Sequence, residues 1–295
     1  MRPQLEKATN IRALTGESPV WCDRDRVLWW VDIAGKKLIV TDPADGRSRA
    51  LHMASEAGCV GLSETGPLIA GLRDGWYEVD PGDGRTRCIA QPEGKVGPNR
   101  FNDGTAGPAG RFWSGTMPLV GPGGPASGHI YRLDADGGWE RVLSGFTIPN
   151  GMAFSPDGRR FYLSDSSPKV RMIWQFDHDP ASGLLSNCGV FFDTRSVAGR
   201  PDGGAIDSDG CYWMAGVTGG HLLRLTPSGR IDMDIEMPVS KPTKIAFGGR
   251  DLSDIYVTSI SRDIDLATEP EAGALFVFRI PGVQGLPAQR FGGFR

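Results

Sequence analysis

The sequence offers almost no uninterrupted stretch long enough for a helix. Glycine (42) and proline (22) together make 64 of 295 residues, about 22 %, where roughly 12 % is usual, and both disrupt helix interiors. Only Val20–Ala34 and Arg250–Glu269 exceed a dozen residues without either, and neither carries a 3.6-residue apolar period. A helical bundle or coiled coil is therefore excluded. Long apolar runs are lacking as well, and none approaches the roughly 18 residues of a membrane helix. The opening Met1-Arg2-Pro3-Gln4-Leu5-Glu6-Lys7 has no apolar segment behind its positive charge, unlike a secretory leader, so a cytoplasmic location is expected. Charge of one sign is missing too. Lys+Arg 32 against Asp+Glu 35 leaves a formal −3 without like-charge blocks, which excludes the basic stripe that a nucleic-acid partner needs. Cysteine is sparse and scattered, at Cys22, Cys59, Cys88, Cys188 and Cys211, with no C-x-x-C pair. These five read as reduced core residues, not as zinc ligands or disulfides.

What is present is 39 % hydrophobic residues, eight tryptophans and an internal repeat. The unit is a short strand, a turn with Gly or Asp, then an apolar strand with aromatics. It appears in Ser18–Asp32, Cys59–Ala70, Asp103–Gly115, Gly151–Ser164, Gly203–Ala215 and Lys244–Thr258. Two further apolar segments separate the copies, such as His129–Leu133 and Trp139–Leu143, making four strands per repeat. The residue before each first strand serves as a marker, at Glu17, Gly58, Asn102, Asn150, Asp202 and Thr243. Their spacings of 41, 44, 48, 52 and 41 residues match the period of about 40–50 of four-stranded propeller repeats. The expectation is an all-β chain forming one six-bladed β-propeller domain over residues 1–295, closed by pairing of the segment around Gln4–Ile11 with strands from Ala274–Ile280 and beyond. Such an architecture leaves only short sheet edges exposed.

In a propeller the first strand of each blade lines the central channel, so the six markers converge on one end of it. Four of them, Glu17, Asn102, Asn150 and Asp202, carry a carboxylate or amide oxygen. Locally, Pro149-Asn150-Gly151 and Pro201-Asp202-Gly203 read as turn tripeptides, and Asn102-Asp103-Gly104 as a hairpin signal. Ser155-Pro156-Asp157-Gly158 is the control, a plain hairpin turn lying after its first strand. Register separates Asn150 and Asp202 from that case, and Glu17 has no turn role at all. Several oxygen ligands in one channel repel one another or stay unpaired unless a positive charge sits among them. A divalent cation meets that need, with Ca²⁺, Mg²⁺ or Mn²⁺ suited to a hard-oxygen shell and Fe(II) or Zn²⁺ as further candidates. His129, His178 and His221 read as structural, Asp165 as a residue that could reach the pocket, and Trp29, Trp30, Trp113 and Trp213 as packing between blades.

At these residues the chain resembles the regucalcin/gluconolactonase (senescence marker protein) family of six-bladed propeller lactonases, the bacterial sugar-lactone hydrolases in particular. The motifs are Gly16-Glu17-Ser18-Pro19-Val20-Trp21, Asn99-Arg100-Phe101-Asn102-Asp103-Gly104, Gly110-Arg111-Phe112-Trp113-Ser114-Gly115-Thr116-Met117, Pro149-Asn150-Gly151, Arg200-Pro201-Asp202-Gly203 and Phe247-Gly248-Gly249. The resemblance implies one divalent metal ion held by Glu17, Asn150 and Asp202, with Arg100 and Asn102 contacting the sugar. It also implies a departure. Some members carry an acidic, sugar-contacting residue soon after Gly-Thr-Met, where this chain runs Pro118-Leu119-Val120-Gly121-Pro122-Gly123-Gly124.

The reading that follows is a metal-dependent hydrolase opening a pentono- or hexonolactone to its aldonic acid, acting as a monomer on a small-molecule substrate, with no nucleic-acid or membrane partner. Held there, a cation would polarise the ring-ester carbonyl and stabilise the oxyanion. Asp202 is the candidate base, and Arg100 can hold the carboxylate product. No G-x-S-x-G elbow is present, which argues against an acyl-enzyme. Two alternatives stay open at this level. One is hydrolysis of organophosphates or aryl esters at the same metal site, and the other is a calcium-binding or protein-binding propeller without turnover.

Overall fold

Apolar segments punctuated by glycine, proline and aspartate fold as the repeat requires, into six four-stranded antiparallel sheets. The computed structural model describes residues 3–95 and 97–293; Met1 and Arg2, the start of the opening segment read above for a leader, lie outside them. The fold is a six-bladed β-propeller. Its first strands are Gly16–Cys22, Ala57–Leu62, Asn99–Gly107, Pro149–Phe154, Arg200–Ile206 and Pro242–Gly248. Among the described residues there is no α-helix, only three single-turn 3-10 segments, and so none long and apolar enough to cross a membrane.

Burial falls from the centre outward. Ala57–Leu62 is buried at every position, whereas Thr86–Ala90, the fourth strand of the same blade, is exposed over its first half. The outer edges carry charges such as Arg85, Arg87, Asp232 and Asp234, which discourage edge-to-edge pairing. Cys22, Cys59 and Cys211 are buried as expected, but Cys88 and Cys188 lie exposed on fourth strands, where alternate side chains face water. All five cysteines are free thiols.

The core is divided among the six blade interfaces. Trp29, Val31 and Leu38 meet Val60, Leu62 and Leu68 between the first two blades, and Trp76 and Ile69 meet Phe101, Phe112 and Tyr131 at the next. Trp113 packs with Phe161 and Leu163, Trp213 with Ile245 and Ile255, and Trp30 with Tyr256 and Leu275. The tryptophans therefore bond blade to blade, as the repeat implied. Each indole N–H of Trp30, Trp76 and Trp213 finds a side-chain oxygen, on Thr41, Ser114 and Asp207.

Two chain segments close the ring. Glu6–Lys7 forms the outermost strand of the sixth blade, pairing antiparallel with Phe276–Phe278, and Ala8 and Ala13 donate to Leu275 and Gly273 carbonyls at 2.9 Å each. This is the expected closure, narrower than the span read from sequence. The second segment was not legible in the repeat pattern. Residues 284–292 run as a strap under the far end of the channel, where Ser208 N–H meets the Gln284 carbonyl and Phe291 exchanges hydrogen bonds with Leu62 and Glu64. Phe291 is wholly buried beside Phe112 and Tyr131. Leu286–Gln289 line a cavity of about 420 Å³ at that end, along with Trp21, Val60, Phe154 and Phe247.

Gly58, the second marker, has a clear reason to lack a side chain. A Cβ there would overlap the backbone carbonyls of Phe101 and Asn102 in the neighbouring first strand. We expect Gly58→Ala to separate the second and third blades and to destabilise the protein by about 1–3 kcal/mol, the usual cost of overpacking. A urea-unfolding midpoint unchanged from wild type would refute this.

Candidate active site

The markers do not precede the first strands; they lie at the second to fourth residue inside them. The extended backbone continues past them because it still pairs with the end of the second strand, for example Gly16 with Asp32 and Arg100 with Met117. In every blade the ladder shifts register at the marker, between Glu17 and Val20, Ala57 and Cys59, Phe101 and Gly104, Asn150 and Ala153, Pro201 and Gly204, and Pro242 and Ile245. A bulge leaves residues unpaired and re-aims their side chains. Six bulges at one level thus turn residues from six distant segments into the same channel. The three Asx-Gly motifs read as turn signals are part of these bulged strands.

Glu17, Asn102, Asn150 and Asp202 are all buried. One hydrogen bond joins two of them directly, and others tie them to neighbouring residues. Arg100 Nη1 donates to Asn102 Oδ1 at 3.0 Å and to the Phe101 carbonyl at 2.8 Å. Asn102 Nδ2 donates in turn to Asn150 Oδ1 at 3.1 Å and to the Pro149 carbonyl at 3.2 Å. Asn150 Nδ2 donates to Ser166 Oγ at 2.8 Å, and that hydroxyl donates to the Pro201 carbonyl, next to Asp202. Because the Ser166 proton is committed to Pro201, its oxygen can only accept. That fixes the Asn150 amide with its N–H₂ on Ser166 and its oxygen toward Asn102.

Below this level lie two charged residues that the sequence reading missed. Asp103 and Lys244 form a buried ion pair between the third and sixth blades, and Lys244 Nζ also donates to the Gly104 carbonyl at 3.1 Å. Asp103 accepts the backbone N–H groups of Gly104 at 2.8 Å and Met152 at 3.1 Å. The lysine reaches across because Gly203 has no side chain; a Cβ there would overlap the Lys244 methylenes. The glycine after Asp202 therefore makes room for a cation, a role the turn motif concealed. A lysine opening the otherwise apolar run Lys244-Ile245-Ala246-Phe247 was the available signal.

The electrostatics follow from this arrangement. Three buried carboxylates, Glu17, Asp103 and Asp202, face one buried ammonium. Burial and the Asp103 charge push the Glu17 carboxyl up to about 7. Burial and the Glu17 charge raise Asp202 well above the usual carboxylate range. Burial works against the Lys244 ammonium, but Asp103 and Glu17 outweigh it and hold its pKa above normal. Glu17 accepts a hydrogen bond from the Ser18 N–H at 2.8 Å, whereas among the described residues nothing donates to the Asp202 carboxylate.

Asp165 does not reach this site. Its carboxylate takes the backbone N–H groups of Thr147, Ile148 and Ser167, as Asp32 does for Leu14, Thr15 and Gly35 in the first blade. Both cap a loop at the end of a second strand. The histidines are structural in kind, with His178 packed on Trp113 and Phe154 and bonded to the Gly158 carbonyl. Among the described residues no three His, Cys, Asp or Glu side chains are grouped to hold a metal; the candidate set instead combines two carboxylates with an amide oxygen.

Fold and channel define a six-bladed propeller whose inner strands all bulge at one level of the channel. Residues 15–261 match the family model described as SMP-30/Gluconolactonase/LRE-like region, and the chain belongs to that family. A 6-deoxy-6-sulfogluconolactonase of Pseudomonas putida is 39 % identical over 297 residues, covering 99 % of this chain and 100 % of that one. A pentonolactonase of Haloferax volcanii is 35 % identical, covering 88 % and 89 %. Among solved structures, a calcium-binding protein, regucalcin, from Agrobacterium tumefaciens superposes with a TM-score of 0.92 at 26 % identity, covering 99 % and 98 %.

Replacing Lys244 by methionine leaves the Asp103 carboxylate buried without its cation. We expect Lys244→Met to cost about 3–5 kcal/mol, the range for breaking a buried pair from one side. Chemical denaturation reads the loss directly, and a change under 1 kcal/mol would show the pair to be dispensable.

Proposed function

We propose that this protein hydrolyses a sugar lactone, a pentono- or hexonolactone, to the aldonic acid, using one divalent cation held by Glu17, Asn150 and Asp202. The observation that carries this reading is the charge imbalance in the channel. Three buried carboxylates share one lysine, one of them has no donor, and an amide oxygen is held in place beside them. Hard-oxygen donors with excess negative charge suit a divalent cation, and these residues fit one. When bound, the ion supplies Lewis-acid polarisation of the ester carbonyl and charge for the developing oxyanion. Calcium is the first candidate, in view of the calcium-binding relative, with Mg²⁺, Mn²⁺, Zn²⁺ or Fe(II) as the others.

The protein's own groups do the rest. Asp202, with a carboxylate free of protein donors, accepts the proton of the attacking water and returns it to the ring oxygen as the C–O bond breaks. Arg100 and Asn102 orient the sugar, and Arg100 receives the new carboxylate. The bond from Asn102 to Asn150 ties the sugar-contacting pair to the ligand set, so the two halves of the site move together. The names of the bacterial and archaeal relatives support hexono- and pentonolactones as the substrate class.

The discriminating comparison is Asp202→Asn against Glu17→Gln, both assayed in saturating metal at mildly acidic pH with spontaneous opening subtracted. As ligand and base together, Asp202 should lose about 10²–10⁴ in kcat on substitution, with a much smaller loss for Glu17→Gln; equal losses would reduce Asp202 to a ligand. Chelation should abolish turnover while leaving the far-ultraviolet circular dichroism of the propeller intact, and full activity in protein that elemental analysis shows to be metal-free would end the metal assignment. Arg100→Ala should raise KM severalfold with metal content unaltered; loss of the metal in that variant would make Arg100 structural.

A further inference from the structure

The first strands carry a second tier of side chains above the markers. Two residues before the markers stand Thr15, Glu56, Arg100, Ile148, Arg200 and Lys241; Arg100 and Arg200 lie inside their first strands, Arg100 within hydrogen-bond reach of Asn102 and Arg200 close enough to act on the Asp202 charge. Three of the six are cations and one is an anion. Arg100 and Arg200 stand in regular ladder register just ahead of their bulges, opposite Met117 and Val217. Lys241 immediately precedes its strand, Pro242–Gly248.

Among the described residues these three cations form no salt bridge, although the Glu56 and Glu17 charges act on Arg100 from a distance. Arg100 Nη1 bonds only to the Phe101 carbonyl and Asn102 Oδ1. Arg200 donates from Nη1 to the Ser166 carbonyl at 3.0 Å and from Nε to Thr218 Oγ1 at 3.5 Å. Lys241 Nζ donates to the Arg262 carbonyl at 3.0 Å. Among the described residues none of the three has a carboxylate within ion-pair distance. Elsewhere the protein does pair such groups, since Arg224 holds Asp207, Asp209 and Asp232, and Arg132 holds Asp134 and Glu140. Arg100 is half-buried, and desolvation holds its guanidinium down at about 10. Guanidinium groups that meet only neutral oxygens keep their capacity for a planar, charge-assisted contact with an anion.

We propose that this tier binds an anionic substituent of the substrate, a sulfonate or phosphate at the end of the sugar remote from the lactone carbonyl, with Arg200 and Lys241 as the specificity-determining residues. Two residues of strand rise about 7 Å, enough for a six-carbon sugar to span from the marker level to this one. The inference rests on the lactonase reading and narrows its substrate class. A single carboxylate, formed at the marker level on hydrolysis, leaves Arg200 and Lys241 unused, whereas a substrate with a second anion occupies them.

The test compares gluconolactone with its 6-phospho and 6-deoxy-6-sulfo counterparts in wild type, Arg200→Gln, Lys241→Gln and Arg200→Lys. In parallel, calorimetry measures binding of gluconate and 6-phosphogluconate, which needs no turnover. Wild type should favour at least one anionic lactone by 10-fold or more in kcat/KM, the favoured one identifying the substituent. That preference should shrink as salt rises, fall severalfold in either Gln variant and largely persist in Arg200→Lys. Lys241 is partly exposed and keeps the test valid if Arg200→Gln loosens the loop it caps. Equal turnover and equal binding of neutral and anionic compounds, or a preference that neither Gln variant alters, would overturn the proposal while leaving the lactonase reading in place. If no lactone is opened yet 6-phosphogluconate binds through Arg200, the anion site stands and the lactonase reading falls.

Discussion

One ion pair spans the channel. Asp103 and Lys244 come from the third and sixth blades, on opposite sides of the ring, and their bond ties the propeller across its middle. Around it the backbone is arranged to suit: N–H groups of Gly104 and Met152 hold the carboxylate, the Gly104 carbonyl takes another lysine proton, and Gly203 yields space for the stem. Glu17 and Asp202 sit within the field of this pair. Without the lysine their mutual repulsion, added to that of Asp103, would leave three like charges in a low-dielectric space, an arrangement far costlier than any surface contact. The ammonium offsets part of that charge and leaves the channel with a negative remainder.

The remaining rigidity comes from the blade interfaces. Each is an apolar seam with at least one large ring, and side chains in such seams have little freedom to repack. The bulges are therefore held on a stiff frame, and groups that must act together are placed before any ligand arrives. Preorganisation of this kind is what allows dipoles and charges in an enclosed site to act strongly on a developing oxyanion.

The sequence exposed the fold readily because the repeat is carried by local features: turn residues, aromatic strands and their period. It exposed four ring residues because they recur at one register. It concealed the bulges, since a Pro-Asp-Gly in a bulged strand and one in a hairpin are spelled alike. It concealed the Asp103–Lys244 bond because the partners are 141 residues apart and belong to different repeats, so no local pattern links them. Asp165 shows the converse. Its place at the end of an inner strand suggested the channel, yet three nearby backbone N–H groups claim its carboxylate first. The exposed cysteines follow from the same limit, because alternation along a fourth strand depends on which face the neighbouring blade covers.

The strap of residues 284–292 bears on synthesis. It joins the fifth, sixth, second and third blades beneath the channel, and it is translated after nearly all of them. Glu6–Lys7 precedes all six first strands, yet it must wait for its partner strand, Phe276–Phe278, to be made. Until then an open arc exposes the apolar flank of Trp21 and Trp30, the surface meant for Tyr256 and Leu275. Ring closure is thus late in synthesis, because Glu6–Lys7 cannot pair before Phe276–Phe278 exists.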